Sequence, residues 1–169
     1  MTAPKPKAPD TVAACAAQEN ALVLERLNAA DAMAIGQAIL ALAMEWFPGR
    51  PIAIHIEKDT HPLFVYFMDG TGAGNADWVN KKKNVVRRFG HSSWMVRQQF
   101  LERGVDFNKD TGLDPELYRA EGGAFPLVVR GQGRIGTAIV SGLDGWEDHV
   151  LAVAGLELWQ SHGIASPNR

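Results

Sequence analysis

Ile52-Ala-Ile-His-Ile-Glu-Lys-Asp-Thr-His-Pro-Leu-Phe-Val-Tyr-Phe-Met68 is the stretch from which the fold is read. Ile52, Ile54 and Ile56 alternate with Ala53, His55 and Glu57, a period of two that predicts a strand with one dry face. Asp59 to Pro62 supply a turn, and Leu63 to Met68 return as the hairpin partner. A second hairpin is predicted from Phe125-Pro-Leu-Val-Val-Arg130 and Ile135-Gly-Thr-Ala-Ile-Val-Ser141. The letters Gly131-Gln-Gly-Arg-Ile-Gly136 between them spell a dinucleotide fingerprint, but that motif needs a strand before it and a helix after it. Here a strand follows, so the glycines read as a tight turn with left-handed positions.

Working outward, Asp10 or Thr11 caps a first helix to about Asn20, and Leu22 to Leu27 form a short edge strand. Asp31 to Trp46 form a helix whose buried face carries Ala32, Gly36 and Ala43, small enough to lie close against a sheet; Pro48-Gly49 ends it. Gly70 to Gly74 loop into a helix that runs to Phe89 and is closed by Gly90. Ser92 or Ser93 caps the next helix, through Arg103-Gly104. Residues 105–122 read as irregular, with a turn of helix around Pro115 to Tyr118. A last helix starts near Gly145 and runs to about Ser161. Two hairpins plus an edge strand predict an α+β fold, an antiparallel sheet of about five strands with helices packed on it. Strict strand–helix alternation, which a doubly wound parallel sheet requires, is absent.

A length of 169 residues, 46% of them hydrophobic, suits one domain with a real core. That domain is assigned to residues 10–163. Met1 to Pro9, with three prolines and two lysines, reads as a disordered tail, and 164–169 as a frayed end. A formal charge of −2 and a basic cluster at 81–88 without stacking aromatics argue against a nucleic-acid partner. The one cysteine, Cys15, stands among alanines in a helix and fits a reducing compartment. No run reaches the ~18 apolar residues of a membrane span, and the start lacks a signal peptide, so the expected location is the cytoplasm without membrane attachment.

The chemistry-bearing feature is Lys82. In Asn75-Ala-Asp-Trp-Val-Asn-Lys-Lys-Lys-Asn-Val-Val-Arg-Arg-Phe89, wound at about 100° per residue, Trp78, Val79, Val85, Val86 and Phe89 fall within roughly 120°. Lys82 lies inside that arc, whereas Lys81, Lys83, Arg87 and Arg88 lie outside it. An ammonium there must snorkel to water, pair with an acid such as Asp148, or anchor a ligand carboxylate. Asn75 points the same way, with Trp78 as a wall. Five histidines show no zinc spacing, so no metal site is expected. His149 shares a flank with Val153 and Leu156, and beside Asp148 it offers an acid–base pair. Arg88, His91, Ser92, Ser93 and Arg97 surround a helix start where an anion could bind. Ser141-Gly142 ends a strand but makes no nucleophile elbow.

The segment Asn75 to Ser93, with Glu121-Gly-Gly-Ala-Phe-Pro126, Gly136-Thr-Ala-Ile-Val-Ser-Gly-Leu143, Asp148-His149 and Gln18-Glu19, resembles the GlcG/HbpS-like, or haem-degrading-domain, family across residues 15–158. It departs from that pattern at His55 and Gly74. The resemblance implies a profilin-like fold, a five-stranded antiparallel sheet between helical layers, assembled into homo-oligomers. It implies a link to tetrapyrroles, haem or a corrinoid, and assigns no catalytic residue. The signature positions are Asn75, Trp78, Lys82, Ser92, Ser93, Ser141, Gly142, Asp148 and His149. The leading expectation is an oligomeric protein binding an anionic small molecule or tetrapyrrole. The alternatives are an enzyme using Asp148 and His149, or a non-catalytic scaffold.

Overall fold

The computed structural model describes residues 4–163. The expected fraying of 164–169 and the first three residues of the expected tail lie outside it. Eleven elements follow in order: α1 (Val12–Ala21), β1 (Val23–Leu24), α2 (Ala29–Trp46), β2 (Ala53–Lys58), β3 (His61–Phe67), α3 (Ala73–Phe89), α4 (Ser93–Glu102), α5 (Phe107–Thr111), β4 (Ala124–Val129), β5 (Gly133–Ser141) and α6 (Gly145–Gly163). The five strands form one sheet in the order β1-β4-β5-β2-β3. Both hairpins form as read, and β2 also pairs antiparallel with β5. Gly131 and Gly133 take φ of +77° and +76° in the β4–β5 turn, the left-handed values that glycine adopts without penalty.

The expectation of a wholly antiparallel sheet needs one correction. β1 runs parallel to β4, with Val23 opposite Val128 and Leu24 opposite Val129. The chain leaves β1 and crosses the whole sheet before β4 returns beside it, so direction there is set by the crossover and not by a turn. Two further readings shift. Asp106 caps a helical turn by accepting from the Lys109 N–H at 2.9 Å, so the short helix lies at Phe107–Thr111, and Pro115 to Leu117 form only a turn. Residues 4–10 take no regular structure, yet Trp94 donates to the Pro9 carbonyl at 2.6 Å and the Lys5 ammonium stands 4.5 Å from the Phe47 ring centroid.

Helices cover both faces of the sheet. On one face α2 and α6 bury Ile35, Ile39, Leu151 and Leu156 against Ile52, Ile54, Ile56, Leu127 and Val140. Gly36 lets α2 approach, since a Cβ there would meet the Phe64 ring. On the other face α3 sets Val79 and Val86 on Ala53, Ala124 and Ile139. β2 therefore has two covered faces, not one, and Glu57 is buried on the α3 side. Arg87 answers it, donating Nε and Nη2 to its two carboxylate oxygens at 3.0 and 2.8 Å, while His55 lies 3.3 Å away. Burial pushes the Glu57 carboxyl up, but His55 and Arg87 outweigh it and hold the group below its ordinary value.

Candidate functional site

The site is built where the end of β5 turns into α6 and the start of α3 lies beside it. Asn75 fixes that approach. Its Oδ1 accepts from the Gly72 N–H at 3.1 Å, capping α3, and its Nδ2 donates to the Ser141 carbonyl at 3.3 Å. Two turns further along α3, Lys82 faces inward and is 3% exposed. Its ammonium donates to Asp148 Oδ2 at 2.7 Å and to the Val140 carbonyl at 3.2 Å. Asp148, in the first turn of α6 and 1% exposed, accepts from the Leu143 N–H through Oδ1 at 3.1 Å. Burial raises the Asp148 carboxyl to about 6, against the pull of Lys82 and the Leu143 and Gly142 backbone.

Glycine makes room for this pair. At Gly123, with φ of +128°, a Cβ would collide with the Val140 carbonyl oxygen and lie 2.9 Å from the Lys82 Nζ. The ion pair forms the floor of an open cleft of about 440 Å³. Trp78, 38% exposed, stands at one side, with the Lys82 Nζ 5.9 Å from its ring centroid. The turn from Ser141 to Gly145 and Glu121 complete the lining. Within the lining one lysine faces three carboxylates, those of Glu121, Asp144 and Asp148. Arg97 approaches Glu121 at 3.4 Å. Such an arrangement can hold a flat apolar body on the indole, hydrogen-bond a polar head, and pass a proton between Lys82 and Asp148.

Asn75, Trp78, Lys82 and Asp148 thus come together; Ser92, Ser93 and His149 do not join them. Ser92 caps α4, accepting from the Met95 N–H at 3.1 Å, and Ser93 Oγ accepts from the Ala124 N–H at 3.1 Å. The anion place at this helix start is filled from within: Glu19 of α1 accepts from the Ser92 N–H at 2.7 Å and lies 2.9 Å from His91 Nδ1. The expected acid–base pair is also corrected. Asp148 turns to Lys82, whereas His149 is fully buried, with Nε2 2.7 Å from Gln18 Oε1 and its ring stacked on Trp94 at 5.9 Å. Burial drives its pKa down to about 3, so it stays neutral at physiological pH. The idea of Lys82 as a cation open to an anionic ligand gives way likewise, because Asp148 already neutralises it. Sequence reasoning gave no role to Glu121 and Asp144, whose signal was only their nearness to Gly122-Gly123 and Gly145.

A family model described as "Haem degrading protein HbpS-like" matches residues 27–157. A UPF0303 protein of Streptomyces avermitilis is 39% identical over 158 residues, covering 94% of this chain and 96% of its own. The crystal structure of the Ybr137w protein superposes with a TM-score of 0.82 at 27% identity, covering 90% of this chain and 89% of that one. A PduOC:haem complex shares the fold, with a TM-score of 0.64 at 16% identity over 78% of this chain and 93% of its own.

Proposed function

The chain belongs to the HbpS-like family of haem-degrading proteins, and from that premise we propose that it is a small-molecule-binding protein whose ligand lies in the Trp78–Lys82–Asp148 cleft. One observation carries the reading: an ion pair with both partners almost fully buried nevertheless floors an open cavity. Holding two charges out of water is costly, and an apolar pair of similar volume would pack as well. A pair kept at the base of a cleft is therefore explained by something it touches there. The lining favours a neutral molecule with a flat body for Trp78 and a polar head for the pair. In this reading the protein acts as a homo-oligomer, which the uncovered face of β3 supports.

Protein-observed NMR with a library of small neutral aromatics tests it. Amide shifts are expected to cluster at Asn75, Gly142 and Gly145 and to vanish in Trp78→Ala. Hits that ignore this cleft, or that persist in the variant, overturn the assignment.

A tetrapyrrole, haem or a corrinoid, is the second reading, supported by the haem complex of a neighbour with this fold. Haem iron takes axial ligands such as His, Cys, Met or Tyr, and propionates seek cations. Among the described residues lining the cleft none of those four types occurs, and the lysine is already paired. His149 is sealed behind Trp94 with Nε2 held by Gln18. The cleft's residues do not fit an iron-ligated haem, and no step on the iron is derived. A haemin titration separates the readings: a Soret shift saturating at one equivalent favours the tetrapyrrole, and its absence favours the neutral ligand.

A further inference from the structure

Binding alone leaves one property of the cleft floor unused. Lys82 Nζ and Asp148 Oδ2 are a proton donor and acceptor 2.7 Å apart, and both belong to the lining. The amine is held in place on three sides, by Asp148, by the Val140 carbonyl at 3.2 Å and by the close approach of Gly123. We propose that Lys82 is a nucleophile that forms a reversible imine with a neutral aldehyde of flat, apolar body, with Asp148 as its proton acceptor and donor. This rests on the reading that the cleft is the ligand site.

Both groups are almost fully buried and joined by one 2.7 Å hydrogen bond, so a proton can pass from Lys82 to Asp148 without rearrangement. The direction of the Asp148 shift, upward through burial, agrees with that. Trp78 offers an aromatic wall beside the amine, which places a stacked aldehyde within reach of it. Glu121 is answered by Arg97, but the Asp144 carboxylate in the lining disfavours oxo acids and leaves neutral carbonyl compounds as the class that fits.

The step balances without any further reagent. Asp148 takes a proton from the Lys82 ammonium. The amine lone pair forms a C–N bond to the carbonyl carbon, and a proton passes from nitrogen to the former carbonyl oxygen to give the carbinolamine. Asp148 returns its proton to that hydroxyl, the C–O bond breaks, and water leaves. The product is a protonated imine paired with the Asp148 carboxylate, so the charge pattern at the start is restored.

Benzaldehyde with cyanoborohydride, read by intact mass and peptide mapping, tests the inference. The first benzyl group is expected on Lys82, about tenfold faster than on the average exposed lysine. Lys82→Arg keeps a cation for Asp148, so it preserves a purely structural pair while removing the nucleophile; it should lose that first adduct and leave the slow lysines unchanged. Asp148→Asn should slow labelling at Lys82. Labelling of Lys82 no faster than exposed lysines, or a first adduct that survives in Lys82→Arg, overturns the proposal. Cleft-centred amide shifts without an adduct overturn the imine and leave the binding reading standing; the absence of both overturns the two together.

Discussion

Lys82 and Asp148 answer each other across two helices, and the cost of separating them is the first consequence to measure. Lys82→Met leaves a buried carboxylate without its cation and is expected to cost about 3–5 kcal/mol in urea denaturation. Lys82→Met combined with Asp148→Leu removes both charges and should recover most of that loss; a double variant as unstable as the single one would contradict the pairing. His149 sets a pH dependence of known sign. Its folded pKa of about 3 lies below the ordinary 6.5. As pH falls below 6.5 the unfolded chain takes up a proton that the folded chain refuses, so stability is lost. Asp148 works oppositely: its folded pKa of about 6 exceeds the ordinary 3.8, so acidification through that window favours the fold at this residue. In His149→Phe only the second effect remains. The variant's stability relative to the parent should rise by about 1.4 kcal/mol for each pH unit between 6.5 and about 3. A difference that stays constant across the series would show that His149 is not the neutral, sealed group described above.

At the scale of elements, the parts legible in the sequence are those whose signal is local. Alternation at Ile52 to Ile56 and the glycines at 131 and 133 place both hairpins. The apolar arc of α3 is interrupted by Asn75 and by one charge, Lys82, and that charge is the residue which the fold buries. What was not legible depends on which element lies over which. Glu57 reads as a solvent-facing partner of Ile56, and only α3 with Arg87 makes it a buried acid. The direction of β1 depends on a partner a hundred residues away, and two residues of strand carry no period. The Ser92 helix start looks like an anion site until Glu19 of α1 is seen to fill it. That contact has its own expected outcome. Glu19→Gln keeps an acceptor for the Ser92 N–H but loses the charge facing the helix dipole, and should cost about 1 kcal/mol. Glu19→Ala should cost more, measured by the same denaturation. Equal stability of all three proteins would show that α4 needs no cap from α1.

For the whole molecule, the sheet order decides which surface is left for a second copy of the chain. α3 packs mainly over β5, β4 and β2. β3 is one of the two edge strands and the longer, with its far side unpaired in the sheet order. In register, Val65 pairs with His55 and Phe67 with Ala53, so both stand on the face that α3 covers elsewhere. They are 49% and 37% exposed. A long edge strand with exposed apolar side chains is a hazard for a monomer, because unpaired N–H and C=O groups invite another strand. Self-assembly that covers this strip resolves the hazard. Sedimentation equilibrium should therefore give a multiple of the chain mass at micromolar concentration. Val65→Lys combined with Phe67→Glu, which puts charge on the strip without touching the core, should shift the distribution toward the monomer while leaving the far-ultraviolet circular dichroism unchanged. A parent protein that sediments as a monomer would remove the argument, and a double variant with unchanged mass would move the interface to another face.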